Sequence, residues 1–234
     1  MVCPGVLSQL LLLSLLSSGT TGVNEVDLNA LEKIITHIEN TYQLTSGQNV
    51  IQTAVAVRFP ADQCESGQLN PEKHLPSRED VISKIQNSSK DRVFVGENLV
   101  AARPVGKGDT AHHSEYILLG KIRDDIKTTP MNYLTSDHLN DCVVFYTYNS
   151  PCVNQCLNQN KQRYILPFVE RLWETLTGPV AFVFNEIYQG TENVEQLLSL
   201  ANKVFLYRCH NDNCVYCGKT RETLQASNCV ATGE

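Results

Sequence analysis

The stretch Cys142-Val-Val-Phe-Tyr-Thr-Tyr-Asn-Ser-Pro-Cys-Val-Asn-Gln-Cys156 decides the fold prediction, because it joins a buried strand to a pair of cysteines. Apolar and aromatic residues dominate Cys142–Tyr148, which is typical of a strand inside a sheet. A helix is expected to begin at Pro151, to be interrupted near Pro167 and to resume to about Leu176. The stretch therefore predicts a sheet strand whose carboxyl end leads directly into a cysteine motif.

Apolar patterns on either side of this stretch predict the remaining elements. Val26–Tyr42 carries apolar residues at helical spacing. Further strands are expected at Val50–Phe59, Arg92–Ala102, Val180–Ile187 and Val204–Tyr207, and further helices at His113–Ile126 and Asn193–Lys203. Residues 60–90 are rich in proline and are expected to form a loop. This alternation predicts an α/β fold with a central mixed five-stranded sheet flanked by helices in three α/β/α layers.

The ends of the chain have compositions of their own. Residues 1–22 contain no charged side chain and combine a leucine-rich run with small residues, which predicts a signal peptide for secretion. A short N-terminal membrane anchor is the alternative, and no membrane contact is expected once a signal peptide is removed. Residues 23–208 are predicted to form one domain that includes the N-terminal helix, and residues 209–234 a cysteine-rich tail packed on it. Asn87 begins a glycosylation sequon, which fits a secreted protein.

Composition limits the classes of function. The 234 residues are 42% hydrophobic and 19% charged, with a formal net charge of −6, so the chain is globular and acidic. A generic basic coat for nucleic acid is excluded, and contact with phosphates would need a local basic patch. Five cations at residues 84–107 are too scattered to predict such a track and are interpreted as solvated surface: Lys84, Lys90, Arg92, Arg103 and Lys107.

Two short motifs predict a catalytic metal site. His113-Ser114-Glu115 opens a predicted helix, and Pro151-Cys152 with Cys156 follows the buried strand, giving H-x-E and P-C-x-x-x-C. This pair of motifs matches the signature of zinc deaminases, in which a histidine and two cysteines hold zinc and a glutamate moves protons. His113, Cys152 and Cys156 are therefore the candidate Zn²⁺ ligands and Glu115 the candidate catalytic acid and base. Three protein ligands leave a fourth tetrahedral position open for water.

Each of these assignments has an alternative. His112 could replace His113 as a ligand, although only His113 has a glutamate two residues later. Glu115 could be a carboxylate that interacts with the helix dipole. Cys152 and Cys156 could be joined in a disulfide, since a secreted chain meets an oxidising environment.

The motifs and a third stretch resemble the AID/APOBEC polynucleotide deaminases of the cytidine deaminase fold. The third stretch, Val180-Ala-Phe-Val-Phe-Asn-Glu-Ile-Tyr188, resembles that family's strand and following aromatic loop. With a signal peptide, the chain is most similar to secreted members, for which an immune role is inferred. The resemblance implies zinc-dependent deamination of cytosine to uracil in single-stranded DNA or RNA. The substrate contacts that the resemblance implies are Ser114, Ser150, Tyr148 and Tyr188. Tyr148 could instead pack on the face of its strand, and Tyr188 could be an aromatic residue at the rim of the site.

The sequence also departs from the family pattern. Asn149 stands before Ser-Pro-Cys, where many relatives have tryptophan, and no asparagine shortly precedes the H-x-E motif. The connection from Glu115 to Pro151 is longer than usual, with an enlargement expected around residues 131–141. These departures leave two further functions open: a non-catalytic secreted binding module on the same scaffold, and a deaminase of free cytidine. The oligomeric state is not predicted.

Six cysteines remain after the signal segment and the candidate ligands are set aside. They are Cys64, Cys142, Cys209, Cys214, Cys217 and Cys229. An even number permits three disulfides with fifteen possible pairings. The last four could instead form a second, structural zinc site, because Cys-x-x-Cys is a ligand spacing.

Overall fold

The computed structural model describes residues 25–87, 92–106, 108, 111–120, 128–188 and 194–230. Nine helices lie in these ranges: α1 Leu28–Tyr42, α2 Ala61–Ser66, α3 Pro71–His74, α4 Arg78–Asn87, α5 Ser114–Leu119, α6 Pro130–Thr135, α7 Leu166–Thr175, α8 Val194–Ala201 and α9 Arg221–Ala226. Nine strands accompany them: β1 Leu44–Ser46, β2 Asn49–Ile51, β3 Ala54–Phe59, β4 Val93–Val95, β5 Leu99–Ala102, β6 Cys142–Asn149, β7 Val180–Glu186, β8 Leu206–His210 and β9 Asn213–Tyr216.

One mixed sheet organises the molecule. Its strand order is β4-β5-β3-β6-β7-β8-β9, while β1 and β2 form a separate hairpin. The three strands β6, β7 and β8 are parallel, and the other pairs are antiparallel. The carboxyl ends of the parallel strands therefore meet at one edge of the sheet, which is where open α/β sheets usually bind ligands.

Helices cover both faces of the sheet, as the three-layer prediction requires. One face packs against α1 and the helices between β3 and β4, and its buried residues include Ile34, Val81 and Tyr146. The other face packs against the helices from α5 to α9 and includes Phe145 and Phe182. Burial on both faces explains why the central strands read as continuous apolar runs.

The sheet has seven strands where five were expected, because two hairpins, β4–β5 and β8–β9, occur where single strands were predicted. The predicted strand Arg92–Ala102 turns back at Gly96, whose N–H donates to the carbonyl of Leu99 at 2.9 Å. At the other edge, Asn211 and Asp212 both have positive φ, of 52° and 57°. Two such residues form the type I′ turn that suits a two-residue β-hairpin, so β9 pairs back onto β8.

The expectation of a loop over residues 60–90 was wrong, since this segment contains α2, α3 and α4. Asn70 caps α3, where its Oδ1 accepts from the Lys73 N–H at 3.3 Å. Ser77 Oγ accepts from the Asp80 N–H at 3.3 Å before α4. These capping residues begin short helices that a count of prolines does not predict.

The helix expected directly after Pro151 is also absent, because residues 153–157 form turns. The N–H of Leu157 donates to the carbonyl of Cys152 at 3.0 Å, and the next described helix begins at Leu166. Asparagine side chains bond to the local backbone here, as Asn158 does to the N–H of Asn160 at 3.0 Å. Such bonds compete with helical ones.

The remaining expectations differ from the structure mainly at element ends. The predicted strand Val50–Phe59 is divided between β2 and β3 at Gln52. The helix expected at His113–Ile126 is described as α5 to Leu119, and residues 121–127 lie outside the described ranges. The segment predicted as a tail supplies the end of β8, all of β9 and α9.

Three predictions fall on residues outside the described ranges. They are the predicted signal peptide at residues 1–22, Ser88 and Ser89 of the sequon, and the surface interpretation of Lys90 and Lys107. Among the described residues, no helix has the length and apolarity needed to cross a membrane.

Candidate metal and active site

The start of α5 and the segment after β6 bring three potential metal ligands together. Nδ1 of His113 lies 3.4 Å from Sγ of Cys152 and 3.3 Å from Sγ of Cys156. The three ligand atoms all lie within 4.8 Å of one another. His113 is the residue that precedes α5, and Cys152 follows β6 by three residues, so two distant segments supply the group.

The spacing of these atoms fits tetrahedral zinc. Zinc bonds of about 2.0 Å to nitrogen and about 2.3 Å to sulfur place two tetrahedral ligand atoms about 3.6 Å apart. The observed nitrogen–sulfur distances of 3.3 and 3.4 Å are close to this value. One imidazole and two sulfurs also form a donor set that suits zinc and leaves a fourth position open.

The structure also bears on the two alternatives to this ligand assignment, a Cys152–Cys156 disulfide and His112 as the ligand. Cys152 and Cys156 are free thiols and not a disulfide. The ring of His112 faces another way, because its Nδ1 lies 3.4 Å from Nε of Arg163 and it stacks on Tyr116. The geometry thus brings His113 to the two sulfurs and directs His112 toward an arginine.

Contacts within the cluster shift the ionisation of its members. A hydrogen bond from Cys156 lowers the pKa of Cys152 to about 4. The same bond, together with burial, raises the pKa of Cys156 well above its usual value. The hydrogen bond with Cys152 also raises the pKa of His113. A bound cation favours the thiolate form of both sulfurs.

Glu115 lies next to this cluster in a buried polar contact group. Its Oε1 accepts from Thr147 Oγ1 at 3.2 Å and from Gln52 Nε2 at 3.2 Å. Its Oε2 accepts from Ser114 Oγ at 3.1 Å. Burial raises the pKa of the Glu115 carboxyl above its ordinary value, because loss of water disfavours the charged form.

Gln52 and Thr147 are site residues that the sequence analysis missed. Each is a polar residue within a stretch predicted as an apolar strand, and both contact Glu115. A polar interruption of a buried strand is a usable signal, because buried polar groups need hydrogen-bond partners.

The four residues with implied substrate contacts occupy different places. Ser114 and Ser150 are buried. Ser150 Oγ accepts from the Tyr188 N–H at 2.9 Å, and the Tyr188 side chain is 45% exposed. Tyr148 is two residues after Tyr146, on the sheet face opposite to that of Thr147. Tyr146 itself donates to Glu39 of α1 at 2.7 Å.

Three arginines from two segments supply local positive charge: Arg163 lies beside His112, and Arg92 and Arg103 lie together at the end of the β4–β5 hairpin. The N–H of Arg103 donates to the carbonyl of Arg92 at 3.1 Å, and burial with the nearby Arg92 charge lowers the pKa of Arg103. Burial and the charge of Arg163 lower the pKa of His112. The hairpin between β4 and β5 thus pairs two cations that the sequence analysis interpreted as scattered surface.

The other six candidate cysteines form three disulfides. The pairs are Cys64–Cys142, Cys209–Cys214 and Cys217–Cys229. The last four cysteines therefore form disulfides and are not available as a second zinc site.

A mixed sheet between two helical layers, with a His-Cys-Cys group where a parallel strand ends, defines the class of cytidine deaminase-like folds. Comparison with known families specifies this class further. The sequence model of the family described as Secreted Novel AID/APOBEC-like Deaminase 1 matches residues 28–233, and the chain belongs to that family. Searches of the curated proteins and of the solved structures find no match to the chain.

Proposed function

We propose that the protein is a zinc-dependent deaminase that converts cytosine to uracil in single-stranded polynucleotide, DNA or RNA. The observation that carries this proposal is the buried Glu115 carboxylate beside the His113–Cys152–Cys156 group. A metal site with a structural role alone would not need an adjacent buried carboxylate. Burial of an acid is unfavourable in itself and is common at sites that transfer protons.

His113, Cys152 and Cys156 would hold the zinc ion. When bound there, zinc supplies Lewis-acid activation of water near neutral pH. The side chains of Ser114, Thr147 and Gln52 hold the Glu115 carboxylate in a fixed position. Proton transfer then needs no reorientation of this carboxylate.

Glu115 moves two protons in the proposed reaction. It accepts a proton from the attacking water and delivers it to the ring nitrogen N3, while the water oxygen bonds to C4 of cytosine. It then transfers the second proton of that oxygen to the exocyclic amine. The C4–N4 bond breaks, ammonia leaves and uracil remains, so that one water is consumed for each ammonia released. The raised pKa of Glu115 suits a group that alternates between base and acid.

Two features support a polynucleotide over a free nucleoside as substrate. On a chain whose net charge is −6, Arg163 supplies positive charge next to His112, and Arg92 and Arg103 form a second pair of cations at the end of the β4–β5 hairpin; arginine is the usual contact for phosphate oxygens. The partly exposed Tyr188 suits stacking on a base. Free cytidine offers no phosphate to these arginines.

The decisive experiment is a substrate panel of single-stranded DNA, single-stranded RNA and free cytidine, with uracil and ammonia as measured products. Wild type and Glu79→Gln, which alters an exposed glutamate of α4, are expected to be active and to contain one equivalent of zinc. Glu115→Gln is expected to keep zinc and to lose about 10²–10⁴-fold in rate, the usual contribution of general acid–base catalysis. Cys152→Ser is expected to lose zinc.

Each result has a clear consequence. Equal rates for wild type and Glu115→Gln contradict the mechanism, and absence of zinc from the wild type contradicts the metal assignment. Zinc without deamination of any substrate supports the non-catalytic binding module. Activity on cytidine alone supports a nucleoside deaminase, whereas rates that fall with salt for polynucleotides support phosphate contact.

We further propose that the chain acts outside the cell, where it serves immunity. It would then carry a removable signal peptide at residues 1–22 and a glycan at Asn87. The word secreted in the family description and the three disulfides support this placement. N-terminal sequencing and mass spectrometry of the protein from culture medium test it. A chain that starts at Met1 contradicts the signal peptide, and an unmodified Asn87 contradicts the glycan.

A further inference from the structure

Gln52 makes three polar contacts at the candidate active site, although it belongs to neither motif. It lies between β2 and β3 and is only partly exposed. Its Nε2 donates to Thr147 Oγ1 at 2.7 Å and to Glu115 Oε1 at 3.2 Å. Its Oε1 accepts from the Asn149 N–H at 3.0 Å.

The backbone contact fixes the orientation of the Gln52 amide. A backbone N–H can only donate, so the atom that faces Asn149 must be the amide oxygen. The amide nitrogen therefore faces Glu115 and Thr147, and its two hydrogens match these two acceptors. A flipped amide would place oxygen against the Glu115 carboxylate and nitrogen against another N–H, which is unfavourable at both ends.

The same side chain thus connects the two halves of the site. Glu115 follows the ligand His113 on α5, whereas Asn149 ends β6 three residues before the ligand Cys152. Gln52 bonds to both segments at once, from a third part of the chain. A single substitution there would loosen the carboxylate and the backbone that leads to the sulfurs.

We propose that Gln52 is a positioning residue that holds the Glu115 carboxylate in place beside the His113–Cys152–Cys156 group and fixes the start of the Ser150-Pro151-Cys152 segment. This inference rests on the proposed deaminase function. Gln52 touches neither metal nor reacting atoms in this role, so its effect passes through Glu115 and Asn149. Loss of a contact of this kind costs about 10–100-fold in activity at comparable metal sites.

Two substitutions separate the donor and acceptor roles of Gln52. Gln52→Leu removes both, while Gln52→Glu keeps an oxygen for the Asn149 N–H and replaces the donor to Glu115 by a carboxylate. Both variants are expected to lower kcat about 10–100-fold, with KM changed less than about threefold. Gln68→Leu, at an exposed glutamine outside the site, is the matched control and is expected to match wild type.

A double-mutant cycle tests whether Gln52 acts through the carboxylate. Ser114→Ala removes the hydroxyl that donates to Glu115 Oε2, a bond to the same carboxylate in which Gln52 takes no part. If both residues hold the same carboxylate, the kcat loss of the double variant is smaller than the product of the two single losses. A loss equal to that product contradicts the shared action.

Amide hydrogen exchange at Asn149 gives a readout that needs no activity. The Asn149 amide is expected to exchange at least about tenfold faster in Gln52→Leu than in wild type, and near the wild-type rate in Gln52→Glu. Unchanged exchange in Gln52→Leu overturns the proposal, as does a rise in KM without a fall in kcat. A wild-type protein that deaminates nothing refutes the proposed function, whereas exchange still decides whether Gln52 holds this backbone.

Discussion

Cys64 of α2 is disulfide-bonded to Cys142, the first residue of β6, across 78 positions of sequence. Both residues are fully buried. The bond fastens the layer that contains α1 to the strand whose other end leads to Cys152. A cross-link of this length removes much of the conformational freedom of the unfolded chain.

The Cys64–Cys142 disulfide is predicted to stabilise the fold more than the Cys217–Cys229 disulfide does. The chain-entropy relation gives about 4.5 kcal/mol for a separation of 78 and about 3 kcal/mol for a separation of 12. The variant Cys64→Ala/Cys142→Ala should therefore unfold about 3–6 °C below Cys217→Ala/Cys229→Ala, as measured by calorimetry.

The two double variants form a matched pair, since each removes two sulfurs from fully buried positions. Differences in cavity size and in lost hydrophobic contact are therefore small. A lower melting temperature for Cys217→Ala/Cys229→Ala would show that native packing around α9, and not loop length, dominates.

A segment of the fold could be predicted only where its own sequence carries a clear physical signal. The runs Cys142–Tyr148 and Val180–Ile187 are covered by helices on both faces, so their composition alone predicted the strands β6 and β7. The hairpin at Gly96 depends on one turn inside an apolar run, and strand patterns do not reveal where such a run reverses. Helices of four to ten residues, such as α3 and α4, carry too few apolar positions for a clear periodicity.

In the candidate site, the metal-ligand group could be predicted from the sequence, whereas the residues that surround it could not. The spacing of H-x-E and P-C-x-x-x-C predicted which residues meet, and the structure brings them within bonding range of one ion. The contacts of Gln52 depend on a strand pairing that places Ala54 opposite Thr147. Pairing of this kind is a tertiary property, and no local motif encodes it.

The Glu39 carboxylate of α1 is predicted to stabilise the central strands as an acceptor. Its Oε1 accepts from Tyr146 Oη at 2.7 Å on β6 and from Asn185 Nδ2 at 2.6 Å on β7. Glu39→Leu leaves two buried donors without this partner and should cost about 2–5 kcal/mol in urea unfolding. Glu39→Gln retains an oxygen and should cost about 1 kcal/mol; equal losses would contradict the acceptor role.

Tyr42 is predicted to make the fold sensitive to alkaline pH. Its buried hydroxyl donates to the carbonyl of Pro76 at 2.5 Å, and burial raises its pKa from 10.0 to about 12. A raised pKa favours the protonated folded state, so this stability is complete below about pH 10 and disappears as pH rises toward 12. Between about pH 9 and about pH 11, wild type should lose about 1.4 kcal/mol more than Tyr42→Phe. Equal losses in denaturant titrations would contradict this assignment.

Removal of the metal is predicted to destabilise the protein, because the ligand group joins the start of α5 to the segment after β6. An ion that binds only the folded chain adds stability by mass action, about 2.7 kcal/mol at a hundredfold excess over Kd. A chelator should therefore lower the melting temperature of wild type, and zinc should restore it. The variant Cys152→Ala/Cys156→Ala should respond to neither treatment. Substitution with Co²⁺ should give a sulfur-to-cobalt charge-transfer band in wild type, and a chelator-insensitive wild type without this band would contradict the metal site.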